Sequence, residues 1–196
     1  MITLKVKEDF KYLGSWVNSS EKDIKVRKAI AWRALNGMSR VWKSNMRQDT
    51  KLHFFEVTVE SVLLYGCENW TLKADLQKSL DGCYTRMLRA VLDIDQKSHI
   101  TNEELYRGRP KLSNKIAARR MRLAGHCHRH NELPAGKLVL WEPTSRQGHR
   151  SRGGVVKTFV DILKKDTRAE TVEEIAKCME DRDDWRDRWD IRLWTT

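Results

Sequence analysis

Apolar and polar residues alternate at the start of the chain, at Ile2, Leu4 and Val6 and again from Phe10 and Tyr12 through Ser15 to Val17. A period of two, enriched in β-branched and aromatic side chains, predicts one or two short strands ending in a turn at Asn18, Ser19 and Ser20. Two strands do not hold a sheet together alone, so this segment is expected to be the edge of a sheet completed by sequence upstream. From Ser20 the period becomes helical. Ser20 and Asp23 form a capping arrangement, and Ile24, Ala31, Leu35, Met38 and Trp42 share one face, predicting a helix over 21–43 with a kink or close contact at Gly37. Thr50 is expected to cap a second helix with the face Leu52, Phe55, Val59, Val62 and Leu63, closed near Tyr65 and Gly66. A third carries Leu76, Leu80, Cys83, Met87, Leu88 and Val91.

Thr101 and Glu104 have capping-box spacing and open a short helix that Gly108, Arg109 and Pro110 break. A basic helix over 113–129 follows, with a thin apolar stripe of Ile116, Ala117, Leu123, Ala124 and Cys127. Residues 131–154 hold two Pro and four Gly with little periodicity, predicting a connector with one apolar knot at 138–141. Beyond it, Val155, Val156, Phe159, Ile162 and Leu163 mark one helix and Thr171 with Glu174 starts another. Trp185, Trp189 and Leu193 stripe a last helix capped by the acidic run 181–184. The expected fold is mainly α: a short N-terminal β-hairpin or strand, a helical bundle and a second small helical region. It divides into strands (1–19), a helical domain (20–109), a basic helix and connector (110–154) and a C-terminal helical region (155–196).

Composition adds a partner class. One-third of the residues are charged, and no run approaches the roughly 18 apolar residues of a membrane span, which predicts a soluble protein. The start of the chain lacks the character of a secretory or transit leader, and the four cysteines have no CxxC spacing, so reduced thiols in the cytoplasm or nucleus are expected. The net charge of +11 is concentrated: residues 1–109 hold 19 Lys/Arg against 14 Asp/Glu, 110–154 hold 10 against 2, and 155–196 hold 9 against 11. A polyanion would find its densest set of partners in the middle stretch. The alternatives are a merely solvated surface, or arginines that pair with the acids after residue 155 and clamp two subdomains.

Three stretches, in order, resemble the end of non-LTR (LINE-type, RTE-like) retrotransposon endonuclease/reverse transcriptases. Phe10-Lys11-Tyr12-Leu13-Gly14 resembles the FKYLG primer grip, and residues 62–70, Val-Leu-Leu-Tyr-Gly-Cys-Glu-Asn-Trp, resemble the LLYGCETW segment of the thumb-like region. Arg122-Leu123-Ala124-Gly125-His126, residues 140–143, residues 148–153 and Lys157-Thr158-Phe159 are similar to the basic post-polymerase tail. Ala124 stands where the family has Trp, and Gly154-Val155-Val156 where it has Arg-Pro and a further basic residue. The resemblance implies a fragment that holds RNA or an RNA–DNA duplex as template-primer, working with palm and fingers that this chain lacks. The family's Tyr-x-Asp-Asp box is absent, so no catalytic residue and no cofactor are expected in the chain, although the parent polymerase uses Mg.

The nucleic-acid-binding candidates are Tyr12, Leu13 and Gly14 at the grip, with Arg119, Arg120, Arg122, Arg129, Lys137, Arg146, Arg150 and Arg152 in the basic stretch. Gly14 lacks a Cβ and lets a phosphate approach, while the arginines offer paired donors to phosphate oxygens. Against this, Tyr12, Leu13 and Trp16 could simply pack a strand on the first helix. Asp183 and Asp184 are expected to serve a helix start, not a two-metal site. The group His126, Cys127, His128 and His130 lacks the spacing of a zinc set, and no metal ligand is assigned. Core packing is expected for Trp185 and Trp189, with base stacking conceivable at Trp16 or Trp141. A second reading of the whole chain is a degenerate or domesticated helical module for protein–protein contact without nucleic-acid function.

Overall fold

The computed structural model describes residues 10–16, 19–95, 97–142 and 158–190. The fold is mainly α with one short N-terminal hairpin. Strands β1 (Lys11–Tyr12) and β2 (Ser15–Trp16) pair antiparallel, Lys11 opposite Trp16 and Tyr12 opposite Ser15. The strand expected at Ile2, Leu4 and Val6 lies outside the described residues.

Helix α1 (Ser20–Gly37) starts one residue earlier than the pattern implies. Ser19, in extended backbone, is the cap, and its Oγ accepts from the Lys22 N–H at 3.2 Å. Ile24, Ala31 and Leu35 of the expected apolar face are buried and Met38 is half-buried, but Gly37, expected to mark a kink or close contact, ends the helix with nothing packed on it, and a short α2 (Ser39–Trp42) carries Trp42 back to the core. Trp42 Nε1 donates to the Leu35 carbonyl at 2.7 Å, so a polar atom is satisfied where the chain bends. Helix α3 (Gln48–Phe55) begins before Thr50 and has no side-chain cap; it runs into a π-helical turn (Glu56–Glu60) and α4 (Ser61–Leu63). The wider turn adds a residue per turn locally and moves Leu64 into the core, while Val62 is only half-buried.

After a 3₁₀ turn at Cys67–Asn69 come α5 (Ala74–Val91) and α6 (Asn102–Tyr106). The Thr101–Glu104 capping box is formed in both directions, and Arg107 closes α6 in the left-handed region. Helix α7 (Leu112–Arg129) follows. Its buried apolar side chains are Leu112, Ile116, Ala118, Met121 and Ala124; Ile116 and Ala124 belong to the expected stripe, but Leu123 is exposed and Ala117 half-buried, so the inward face is rotated from it. Within the segment expected to be irregular stands α8 (Pro134–Leu138), with Pro134 at its first position, where a missing N–H costs nothing. In the apolar knot only Val139 is buried; Leu138 and Trp141 are exposed.

Helices α9 (Phe159–Thr167) and α10 (Val172–Glu180) open with formed capping boxes, Thr158 with Asp161 and Thr171 with Glu174. Asp181 caps α11 (Arg182–Arg188), accepting from the Asp183 and Asp184 N–H groups. These bonds hold its carboxyl below the usual carboxylate range.

The chain divides into two compact units, one reaching Ile116 and one starting at Ala117. In the first, α1 packs on α4, the π-helical turn and α5 around Phe55, Leu63, Tyr84, Met87 and Leu88. In the second, α9 and α11 both pack on α10, with Val160, Leu163, Ile175 and Met179 buried. Trp185 and Trp189 are buried too, edge-on at 5.4 Å, in the core role expected of them. Each large apolar side chain buried in these cores contributes roughly 1.5–3 kcal/mol relative to exposure.

Candidate nucleic-acid interface

The turn between β1 and β2 joins the first two motifs of the sequence resemblance. Leu13 and Gly14 have φ of +46° and +86°, the two successive positive values of a type I′ turn. Glycine adopts such a φ freely; leucine does not, and needs contacts from outside the turn to stay there. Those contacts come from α1 and from the turn that follows α4. The Tyr65 hydroxyl donates to the Leu13 carbonyl at 2.8 Å, and Arg27 Nη2 donates to the Gly14 carbonyl at 2.6 Å. The Arg27 guanidinium lies over the Tyr65 ring, 4.3 Å from its centroid. Beneath it, Asp23 is buried and accepts from Trp70 Nε1 at 2.8 Å and from the Trp16 backbone N–H at 3.3 Å. Gly66, at φ +72°, closes the contact: a Cβ there would stand 2.4 Å from Ser15 Oγ.

The result is a rigidly seated turn whose outer side is open. Tyr12 and Leu13 are 60% and 73% exposed, and the Phe10 ring stacks on Tyr12 at 6.3 Å. Of the three side chains that could have packed on the first helix, only Trp16 does so, with Lys22 Nζ 3.8 Å from its ring centroid. The Lys22, Lys25 and Arg33 positions share one face of α1, and Lys25 and Arg33 are exposed. Sequence reasoning missed these two cations because it summed charge over residues 1–109, where 14 Asp/Glu offset 19 Lys/Arg, although residues 20–40 alone hold six Lys/Arg against two Asp/Glu. It also missed Arg27, which carries no motif, and it gave Asp23 a capping role with Ser20, whereas Ser19 is the cap and Asp23 accepts from Trp70 and Trp16. Tyr65 and Trp70 were signalled only as part of the second resembling stretch.

The arginines of α7 have different environments. Arg122 is exposed and Arg119 half-buried. Arg120 is only 5% exposed and meets Asp166 at 3.2 Å; burial pushes the Asp166 carboxyl up, and the Arg120 charge pulls against it. Arg129 donates to the Met179 carbonyl at 2.8 Å. Lys137 is exposed on α8. Arg146, Arg150 and Arg152 lie outside the described residues. Gly125 has a packing reason of its own, since a Cβ would fall 2.4 Å from Trp185 Nε1, which donates to the Met121 carbonyl at 2.8 Å.

One buried polar cluster has no counterpart in the sequence reading. Lys115 Nζ bonds both Glu60 oxygens, at 2.8 and 2.7 Å, and the Tyr84 hydroxyl donates to Glu60 Oε2 at 2.7 Å. Glu60 sits in the π-helical turn and Lys115 in the first turns of α7, so 55 residues of chain separate the pair. Burial, then the adjacent Glu60 charge, push the Tyr84 phenol far above its ordinary value; burial also raises Tyr106. A buried pair whose carboxylate also accepts a tyrosine hydroxyl is a structural tie.

Among the described residues no group of three or more His, Cys, Asp or Glu is placed to hold a metal ion. The His126 and His130 rings lie tilted against each other, 4.5 Å between centroids, and His130 Nδ1 meets Glu132 at 3.1 Å. Asp183 and Asp184 occupy the first turn of α11, where Asp184 pairs with Arg188 at 2.9 Å. No helix among the described residues is long and apolar enough to cross a membrane.

No family model matches the chain, and no solved structure matches it. It is similar to a protein of Caenorhabditis elegans described as transposon-derived, with 23% identity over an alignment that covers 91% of this chain and 68% of that protein. The similarity extends through both units and connects the chain with transposon-derived sequence.

Proposed function

We propose that this chain is the nucleic-acid-holding, non-catalytic C-terminal portion of a LINE-type retrotransposon reverse transcriptase. In this reading the hairpin is the end of the palm with its primer grip, and the first unit's helices are the thumb. The observation that carries it is the seating of the Leu13–Gly14 turn on Arg27 and Tyr65, which joins the stretch resembling the grip to the stretch resembling the thumb. The transposon-derived relative supports the same origin. The partner is RNA or an RNA–DNA duplex, held through phosphates without reading sequence, together with the palm and fingers of a parent polyprotein. Mg and the polymerase carboxylates belong to that parent, and the site of action is cytoplasmic or nuclear.

Tyr12 and Leu13 present an aromatic and an apolar surface to a sugar or base, while Lys25, Arg33, Arg122 and Lys137 are exposed cations for phosphates. Arg120 and Arg129 serve the second unit's own packing in this reading. The test is a fluorescence-polarisation titration of a labelled RNA–DNA duplex at low salt, repeated with Arg122→Ala. Binding that weakens in the variant supports the proposal, and absence of binding by the unaltered chain contradicts it.

A second reading, a helical protein–protein module, is favoured by the exposed Leu138 and Trp141 in the second unit. It predicts self-association or partner capture with little salt dependence, which light scattering coupled to size exclusion separates from the first.

A further inference from the structure

We infer that Arg27 and Tyr65 are positioning residues for the hairpin turn, tuning it for a polyanion by withdrawing both of its carbonyls from the outer surface. The inference rests on the nucleic-acid reading above. A type I′ turn leaves the carbonyls of its central residues unpaired within the hairpin, and an exposed carbonyl dipole repels an approaching phosphate. Here both are engaged from the helical side, Leu13 by the Tyr65 hydroxyl and Gly14 by Arg27 Nη2. Arg27 also places a positive charge under the turn. A Cβ at Gly14 would lie 3.4 Å from its Nη2, so the guanidinium is in van der Waals contact with the turn itself.

The arrangement is held at a cost to the fold. Leu13 keeps a positive φ that its side chain disfavours, and its side chain is not rewarded with burial. Arg27 is 8% exposed, yet its Nε has no hydrogen-bond partner among the described residues and stands 3.9 Å from Asp23 Oδ1. A sequence selected for stability alone would relieve both features, and such local conflicts concentrate at functional sites. Neither residue need touch the ligand. Tyr65 acts through the Leu13 carbonyl and Arg27 through Gly14, while Tyr12 and Leu13 offer the contact surface.

The experiment uses the full chain and a fluorescein-labelled RNA–DNA duplex, comparing the unaltered protein with Tyr65→Phe, Arg27→Lys and Arg122→Ala. Tyr65→Phe removes one hydroxyl from a half-exposed ring, so the thermal midpoint should shift by only about 2–5 °C. Affinity should fall on the order of fivefold or more through lost preorganisation. Because Tyr65 neutralises no phosphate, the slope of log affinity against log salt should not change, whereas Arg122→Ala should lower it by about one. Amide hydrogen exchange over residues 10–16 should accelerate in Tyr65→Phe and Arg27→Lys, a signature that general destabilisation would spread over the whole unit. Unchanged affinity in both hairpin variants, with Arg122→Ala weakened, overturns this inference and leaves the nucleic-acid reading standing. Failure of the unaltered protein to bind at low salt overturns that reading and this inference with it.

Discussion

The Tyr65 hydroxyl donates to the Leu13 carbonyl at 2.8 Å across 52 residues of chain, and this bond ties a β-turn with two positive φ values to the end of a helical segment. Gly66, the next residue, makes the approach possible, because its backbone lies against Ser15 in a conformation that L side chains rarely adopt. Replacing Gly66 by Ala adds both left-handed strain and a clash with Ser15 Oγ, so a loss of about 1–3 kcal/mol is expected. Urea denaturation measures it. A change within a few tenths of a kcal/mol would mean that the hairpin is not seated as described.

The Glu60–Lys115–Tyr84 cluster makes a prediction with a built-in control. Lys115→Met leaves Glu60 buried without its cation and should cost about 3–5 kcal/mol. Combining it with Glu60→Leu removes the orphaned charge, and the double variant should be more stable than Lys115→Met alone. Equal or additive losses in equilibrium unfolding would show that the two groups are not coupled.

Tyr84 and Tyr106 also set an alkaline limit. Their folded-state values are raised above the unfolded value near 10, so the folded chain holds these protons more tightly. The stability this provides is fully present below about pH 10 and is lost as pH rises beyond it, because only the unfolded chain releases the protons readily. Unfolding free energy measured between about pH 9 and 11 should fall with pH, and less steeply in Tyr84→Phe. An identical slope in that variant would remove Tyr84 from the account.

Within α7, neighbouring arginines should behave oppositely. Arg120→Ala strips a buried cation from Asp166, whose carboxyl is already pushed up by burial, and should lower the stability of the second unit by several kcal/mol. Arg122→Ala should change stability by no more than about 0.5 kcal/mol and act on nucleic-acid affinity instead. A thermal melt of each variant checks the first half, and a reversal of the two would place the exposed and buried faces of α7 the wrong way round.

Much of this fold was legible because its signals are local. The Thr101–Glu104 and Thr171–Glu174 boxes span four residues, and both form as their spacing implies. The heptad-like face of α5 needed no partner to identify it. The inward face of α7 was only partly found: Ile116 and Ala124 are buried, but Ala117 and Leu123 look as apolar as the buried Ala118 and Met121, and the local pattern does not show Trp185, which meets this helix from 64 residues away. The Glu60–Lys115 pair was invisible for the same reason, since each residue alone reads as a solvated charge on an amphipathic helix. At the candidate interface, the turn residues could be found from the motif they resemble. Arg27 could not, because its role exists only once the turn folds back over α1.

Salt dependence of RNA–DNA duplex binding by the full chain separates phosphate holding from protein–protein contact. If six or more of its cations meet phosphates, affinity should drop on the order of a thousandfold between about 50 and 200 mM monovalent salt, with little preference among sequences. Affinity that stays level across that range, or no binding at the lowest salt, would contradict the account and favour a helical protein-binding module.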